Sequence, residues 1–135
     1  MEQGTKYSVI VVCLNAGQRL YETVKSILGQ TYRNFEVVIK DGGSTDGSVE
    51  ALASAYQDSR LHVHRLKDNG IYDAMNQAVK LAAGTYFLFL NAGDSFYDEH
   101  VLERITDEIE HKKADIIYGN LYHKALDTII YAAPE

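Results

Sequence analysis

The chain lacks the features that would place it among disulfide-bonded, membrane-spanning or secreted proteins. Its single cysteine, Cys13, has no partner for an internal disulfide, and the apolar run around it indicates a small buried side chain. The longest apolar runs, Val9 to Leu14 and Tyr86 to Leu90, fall far short of the ~18 residues of a membrane span. Met1 to Lys6 is short and polar, unlike a secretory signal. These absences predict a cytoplasmic protein.

An excess of basic residues is also missing. Lysine and arginine total 13 against 19 acidic residues, which gives a net charge of −6. Because no basic stripe is available to neutralise a phosphate backbone, nucleic acid is excluded as the main partner. A single diphosphate held through a cation remains compatible with this charge. The length of 135 residues and the ordinary proportions of hydrophobic and charged residues predict one domain over residues 1–135.

Short apolar runs alternate with segments of helical periodicity. The runs predict strands at residues 7–13, 35–39, 61–66, 86–90, 115–118 and 128–131, and the periodic segments between them predict helices, with Gly29 and Gly84 at two helix ends. The alternation predicts an α/β fold with a Rossmann-like, doubly wound, mostly parallel sheet. Periodicity does not reveal the strand order. In a 3-2-1-4 order, the first strand would lie between the second and the fourth.

Two histidines, His62 and His64, share one side of the predicted third strand. This spacing could chelate a metal ion, but an exposed strand face explains it better.

Asp94 follows the apolar stretch from Thr85 to Leu90, which is typical of a strand that is buried on both faces. Parallel strands present ligands at their carboxyl ends, so Asp94 should stand at the mouth of a cleft. A carboxylate there favours a cationic partner, and a divalent metal is one candidate. The alternative is a turn in which Asp94 hydrogen-bonds its own backbone after Gly93. The segment alone leaves both interpretations open.

The second predicted strand ends at a second acid, Asp41, in a loop where Gly42 and Gly43 allow a ligand to come close. Asp46 can cap the following helix, but Asp41 lies too early for that role. With one strand between them, Asp41 and Asp94 would lie roughly 10 Å apart, too far to share one magnesium ion. A nucleoside diphosphate has the required length. We therefore expect Asp41 to accept the imide N–H of uracil and Asp94 to bind the metal.

Two further loops are expected at the same edge of the sheet. The small residues after the first strand suit a loop under a nucleoside, which includes Leu14 and Asn15. In the loop after the third strand, Asn69 begins a turn, and Asp73 and Asn76 share one face of a helix start. Asp73 could equally stabilise that helix terminus, because acids are favourable there.

Four motifs in series resemble the family 2 glycosyltransferases, enzymes of the GT-A fold that use nucleotide-activated sugars. They are Val9 to Asn15, the Ser26–Tyr32 segment with the strand from Phe35, Asp41 to Gly47, and Asp68 to Asn76 followed by Gly84 to Tyr86. The last motif is similar to a subgroup that builds bacterial surface polysaccharides. The likeness runs from Tyr7 to about Asn120.

The resemblance implies an inverting transfer of a sugar, UDP-linked by our interpretation, to a saccharide or lipid-linked acceptor in cell-surface polysaccharide synthesis. It implies Mg²⁺ or Mn²⁺ on Asp94. It also implies a nucleotide site that includes the residues nominated above and Asn91, in full Leu14, Asn15, Asp41, Gly43, Asn69, Asp73 and Asn91. Such an enzyme would act in the cytoplasm, in peripheral contact with the inner face of the membrane, and apolar residues near 116–131 could pair two chains.

The sequence departs from the family pattern in its acids and in its length. Gly42 stands where many members carry a second aspartate, and Asn91 and Gly93 stand where acids are common. Metal affinity is then expected to depend on the donor diphosphate. Members continue into an acceptor-binding half that this chain does not show. The general base is therefore unassigned; the titratable candidates after Asn120 are His123 and Asp127, and neither lies in a recognisable motif.

Two other functions are compatible with the pattern. A non-catalytic domain could retain nucleotide binding or protein association without the acceptor half, and a UDP-sugar hydrolysis assay would distinguish it from an enzyme. A sugar nucleotidyltransferase also uses a doubly wound sheet, but it needs a glycine-rich, basic loop after the first strand. Residues 14–19 contain one glycine and one arginine, so this function ranks lower.

Overall fold

The computed structural model describes residues 6–112, 121–123 and 128–130. The elements in chain order are β1 (Tyr7–Cys13), α1 (Gln18–Leu28), β2 (Phe35–Asp41), α2 (Ser48–Ala55), β3 (Leu61–Arg65), α3 (Ile71–Leu81), β4 (Tyr86–Phe89), α4 (Val101–Lys112), β5 (Leu121–His123) and β6 (Thr128–Ile130).

The first four strands form one parallel sheet in the order β3-β2-β1-β4. The register pairs Cys13 of β1 with Asp41 of β2, and Ile10 of β1 with Phe89 of β4. The α/β fold and the mostly parallel sheet are therefore confirmed, and the strand order is the one that places β1 between β2 and β4. The acids that follow β2 and β4 consequently flank the end of β1.

The two central strands carry the core. Their β-branched side chains are buried on both faces, as the continuous apolar runs predict. One face packs against α1, α2 and α4 through Leu20, Leu52 and Leu102, all almost completely buried. The opposite face packs against α3, where Ala78 contacts Ile10 and Val38. Helices on both faces hold the carboxyl ends of the strands in fixed relative positions.

The prediction that the fourth strand is buried on both faces was wrong. Phe87 and Phe89 of β4 are 41% and 47% exposed, whereas the alternate residues Tyr86 and Leu88 pack against the core. The reason is the position of α3, which covers β1 and β2 on this face. The expected strand at 115–118 lies outside the described residues, and β5 and β6 pair antiparallel in a separate two-stranded sheet.

Gly84 was also assigned the wrong role, since α3 ends at Leu81 and not at Gly84. The Gly84 N–H donates to Ser8 Oγ at 2.8 Å, and a Cβ on Gly84 would lie 2.6 Å from Ser8 N. This glycine lets the segment before β4 pack directly on the backbone of β1. Ser8 Oγ in turn donates to buried Glu36, which also accepts the Ala83 N–H.

Candidate functional site

The loop after β1 is bonded to the loop after β2. Asn15 N–H donates to Ser44 Oγ, and the Asn15 side-chain oxygen accepts from Thr45 N–H, both at 2.8 Å. Gly17 N–H donates to Asp46 at 3.0 Å. Asn15 has a φ of 49°, a conformation that asparagine tolerates better than most residues. The two loops therefore form one platform at the carboxyl edge, and Leu14 is 60% exposed on it.

Asp41 is completely buried beneath this platform. One carboxylate oxygen accepts from Ser44 Oγ and from the Cys13 thiol, 3.6 Å away. The other accepts from Ser44 N–H at 3.0 Å and from Arg65 Nε at 3.2 Å. Burial raises the pKa of Asp41, but the bonds from Ser44, Arg65 and Cys13 outweigh it and hold the pKa below its ordinary value. The carboxylate stays charged at neutral pH.

These four donors bear on the expected role of Asp41 as the acceptor of a uracil N–H. A carboxylate offers about four acceptor positions, and all four are used. The thiol of Cys13 is the weakest and most distant of the donors, and burial raises its pKa to about 12. A base N–H would therefore displace Cys13 first. The role of Asp41 toward uracil stays a prediction.

The loop after β3 presents Asn69 and Asp73 at the same edge. Asn69 N–H donates to the Asp73 carboxylate at 2.9 Å, so Asp73 stabilises the start of α3, as the helix-terminus interpretation proposed. Asp73 also accepts from Gln77 at 3.2 Å. The Asn69 side chain and the neighbouring Ile71 and Tyr72 are exposed, Tyr72 by 80%. The loop thus exposes one polar side chain and two apolar ones, and its backbone is held by the hydrogen bond to Asp73.

Asp94 lies in a tight turn after β4. The turn is closed by a bond from Asp94 N–H to the Asn91 carbonyl at 2.9 Å, with Gly93 at a φ of 105°. The Asp94 and Asn91 side chains are both exposed. Among the described residues, the Asp94 carboxylate has no hydrogen-bond or ion-pair partner. The chain does turn here, but within the described residues the Asp94 carboxylate does not bond its own backbone as the turn interpretation expects, and it is free for a cation.

Helix α1 holds this turn through one buried hydroxyl. Thr23 Oγ accepts the Gly93 N–H at 2.8 Å and donates to the Asp94 carbonyl at 2.6 Å. Ser26, one turn further along α1, accepts the Phe96 N–H at 3.2 Å. The side chain of Arg19 packs over Gly93, where a Cβ would lie 3.4 Å from Arg19 Cδ. The position of Asp94 is thus set by α1.

Replacing Thr23 by valine should loosen the turn that carries Asp94. Valine has the same shape but leaves the Gly93 N–H and the Asp94 carbonyl without their partner, at a cost of about 1–3 kcal/mol. We expect amide hydrogen exchange at Gly93 to accelerate by about tenfold or more, because tenfold corresponds to about 1.4 kcal/mol. Thr23→Ser keeps the hydroxyl and is the matched control. Equal protection of Gly93 in both variants would show that Thr23 does not hold the turn.

A cleft of about 370 Å³ lies between α1 and the loop after β4. Its lining includes Glu22, Lys25, Ser95 and Phe96, and neither Asp41 nor Asn15 is part of it. The cleft therefore begins next to Asp94 and extends away from the platform formed by the first two loops.

Some predicted site residues come together and others do not bear on the site. Helix α1 connects the turn of Asp94 with the platform of Leu14 and Asn15. His62 instead faces Glu36, with 3.7 Å between His62 Nε2 and Glu36 Oε1. In the described ranges, no group of three or more acidic, histidine or cysteine side chains could hold a metal. Of the base candidates, Asp127 lies outside the described residues, as does the side chain of His123.

Sequence reasoning missed Thr23, Arg65 and Lys40. Lys40 could have been found, because a lysine inside an apolar strand next to Asp41 requires a buried partner. Arg65 ends β3 and donates to the Ser44 carbonyl at 2.9 Å as well as to Asp41, so it fixes the loop after β2. Nothing in the local sequence marks Thr23, because its partners lie 70 and 71 residues away.

The arrangement combines a rigid loop platform, a parallel-sheet edge and one exposed carboxylate, which suits an elongated anionic ligand with a cation at one end. The model of the family described as "Glycosyl transferase family 2" matches residues 8–134. The chain belongs to glycosyltransferase family 2.

Relatives of this family 2 chain include glycosyltransferases from several bacteria. It is 42% identical over 119 residues to a PGL/p-HBAD biosynthesis glycosyltransferase of Mycobacterium bovis, covering 85% of this chain and 46% of the relative. It is 36% identical over 118 residues to glycosyltransferase GlyG of Streptococcus pneumoniae, covering 86% and 39%. The chain thus spans less than half the length of these curated relatives.

Solved glycosyltransferase structures share the fold. S. aureus TarS 1–349 in complex with UDP-GlcNAc superposes with a TM-score of 0.75 at 27% identity, covering 82% of this chain and 32% of the TarS 1–349 chain. A mannosyltransferase of Pyrobaculum calidifontis in complex with GDP-Man and Mn²⁺ gives a TM-score of 0.71 at 25% identity, covering 79% and 33%. The expected family and GT-A fold are confirmed. Within the described residues, no helix is long and apolar enough to cross a membrane.

Proposed function

We propose that this chain is the donor-binding part of a glycosyltransferase that takes a UDP-sugar with Mg²⁺ or Mn²⁺. The observation that carries the proposal is Asp94, an exposed carboxylate without a partner among the described residues, held by α1 beside the platform of Asn15. Asp94 belongs to no group of three or more acidic, histidine or cysteine side chains in the described residues, which suits a cation that takes most of its other ligands from phosphates. The UDP-GlcNAc complex of TarS and the Mn²⁺ complex of the mannosyltransferase support this choice.

Each loop has a proposed role toward the donor. Leu14, Asn15 and Gly43 would line the nucleoside, with Asp41 facing the base from below. Asn69, Asp73 and Asn91 would border the ribose and sugar. This assignment is supported by the topology, since all of these residues follow the carboxyl ends of adjacent parallel strands.

The chemistry proposed is inverting transfer to a saccharide or lipid-linked acceptor in surface polysaccharide synthesis, at the cytoplasmic side of the membrane. Asp94 would hold the cation, and Thr23 would orient Asp94. A divalent ion bound there neutralises the charge that develops on the leaving diphosphate. A sugar hydroxyl needs a general base to attack the anomeric carbon, and none is assigned among the described residues.

Replacing Asp94 by asparagine should remove most of the metal dependence of nucleotide binding. We expect wild-type protein to bind UDP at least about tenfold more tightly in Mn²⁺ than in EDTA, since one good charge contact contributes over 1.4 kcal/mol. Asp94→Asn should bind UDP in Mn²⁺ about as weakly as wild type does in EDTA, because the amide carries no charge. Isothermal titration calorimetry measures both affinities.

The control is Asp107→Asn, which removes one exposed carboxylate from α4 and should leave UDP binding unchanged. Asp94→Asn protein with the full metal effect would exclude Asp94 as the ligand. Tighter binding of GDP than of UDP would contradict the assigned base and leave the metal role intact.

A non-catalytic nucleotide-binding domain is the second candidate, and it is favoured by Asn91 and Gly93 at positions where acids are common in the family and by the unassigned general base. A UDP-sugar hydrolysis assay distinguishes it, because a complete enzyme releases sugar to water slowly whereas a binding module releases none.

A further inference from the structure

Lys40 is a fully buried lysine at the carboxyl end of β2, on the face that packs against α3. An unpaired ammonium group in such a place would be very unfavourable. Its Nζ donates to the Asp68 carboxylate at 2.9 Å, to the Asp41 carbonyl at 3.3 Å and to the Leu66 carbonyl. The three donors of the ammonium group are therefore all used, and two of the acceptors belong to the loop after β3.

Asp68 completes the ion pair from the loop side. Its side chain is 14% exposed, and its second oxygen accepts the Gly70 N–H at 3.1 Å. The hydrogen bond from Lys40 holds the pKa of Asp68 below its ordinary value. The loop from Leu66 to Gly70 is thus fixed at Leu66, Asp68 and Gly70 by interactions that centre on one buried charge.

Gly42 provides the space that this ion pair needs. A Cβ on Gly42 would lie 2.8 Å from the Asp68 carboxylate oxygen that accepts from Lys40. The φ of Gly42 is not positive, unlike that of Gly43, so backbone freedom does not require a glycine here. A glycine is required at this position because the Asp68 carboxylate comes so close. Any side chain at position 42 would push the carboxylate away from Lys40.

We propose that Lys40, Asp68 and Gly42 form a lock that positions the 66–70 loop for the nucleotide-sugar. The lock accounts for the buried lysine, for the glycine at position 42 and for the fixed backbone beneath the exposed Asn69 side chain. Lys40 is a positioning residue that acts through Asp68. The ligand in this inference rests on the proposed function, whereas the lock itself does not.

The lock should matter for affinity because a preformed loop binds without an ordering cost. If the loop holds the binding conformation about one-tenth of the time once the lock is broken, the apparent Kd for UDP rises about tenfold. Gly42→Ala is the most informative variant, since it separates Asp68 from Lys40 without removing either charge, and it should also lower the urea midpoint because the buried ammonium group loses its carboxylate partner. Lys40→Met removes the buried charge, and Lys80→Met is its matched control on the exposed face of α3.

The experiment measures amide hydrogen exchange at Asn69 and Gly70, together with UDP binding in Mn²⁺ by calorimetry. We expect Gly42→Ala and Lys40→Met each to accelerate exchange at these amides and to weaken UDP binding by about tenfold, with Lys80→Met unchanged. The double variant should be no weaker than the weaker single variant, because both act through one interaction.

Unchanged exchange at Asn69 and Gly70 in Gly42→Ala would overturn the lock, whatever happens to UDP. Faster exchange with wild-type UDP affinity would overturn its role in the nucleotide site. A wild-type chain that binds no UDP would refute the proposed function, and the exchange data alone would then decide the lock.

Discussion

Gly84→Ala is expected to destabilise the protein by about 3 kcal/mol or more, a large part of the 5–15 kcal/mol that holds a typical domain folded. The added Cβ would lie 2.6 Å from both Ser8 N and Ser8 Oγ, and 2.8 Å from the Tyr7 carbonyl carbon. Two of these atoms belong to the backbone of β1, which is paired on both sides with β2 and β4 and cannot move aside. The variant must shift the segment before β4, because moving the Ser8 side chain would relieve only one of the three contacts.

Urea unfolding followed by circular dichroism measures this loss. Gly29→Ala is the control, because its Cβ would meet the Lys25 carbonyl at 3.2 Å on an exposed helix end and its φ of −84° suits alanine. We expect Gly29→Ala to change the urea midpoint far less. A Gly84→Ala protein that unfolds at the wild-type midpoint would show that the segment before β4 is not tightly packed on β1.

Asp41→Asn is expected to cost about 3 kcal/mol, since the fully buried carboxylate accepts four hydrogen bonds and a neutral amide leaves some of these donors without a partner. The amide can accept on one side only, so its NH₂ group must face either the Ser44 hydroxyl or the Arg65 guanidinium, which are both donors. Urea unfolding near neutral pH measures the loss. Asp46→Asn, an exposed acid on the same loop, should lose much less.

The stability of the wild type should also fall in acid, and Asp41 should account for part of the fall. The pKa of Asp41 is lowered in the folded state, so between the two pKa values the unfolded chain binds more protons and stability rises with pH. The contribution is complete above the unfolded value of about 3.9 and is lost as pH falls through the folded value. Asp41→Asn should show a shallower loss, with Asp58, whose pKa is lowered to about 2 by Arg60, still contributing.

An Asp41→Asn protein as stable as wild type at every pH would mean that the four donors around Asp41 contribute nothing as a set. A variant that keeps its stability but loses UDP binding would instead favour a direct role toward the base.

The sequence predicts the parts of this molecule that depend on periodicity. The run from Tyr7 to Cys13 and the spacing of Leu20, Val24 and Ile27 are local patterns, and the structure has a strand and a helix there. The placement of Asp41 and Asp94 on either side of β1 depends on the strand order, which periodicity does not reveal and which the structure shows to be β3-β2-β1-β4. The local patterns can be read along the chain, whereas the strand order cannot.

The errors and omissions involve contacts between distant residues. Gly84 resembles a helix end in sequence, but its role depends on Ser8, 76 residues earlier. Phe87 and Phe89 resemble buried residues, but whether they are covered depends on where α3 packs. The partners of Thr23, like the space that Gly42 leaves for Asp68, appear only once the chain has folded.

Helix α1 contacts both ends of the candidate site, so the length of this helix fixes the distance between the two ends. The helix begins just after Gly17, whose N–H donates to Asp46. Six residues later, Thr23 hydrogen-bonds the turn of Asp94. Six residues of helix correspond to about 9 Å of rise. One inserted residue between these positions would rotate Thr23 by about 100° and point its hydroxyl away from Gly93. Surface loops can vary in length through evolution, but the stretch from Gly17 to Thr23 has to keep its residue count.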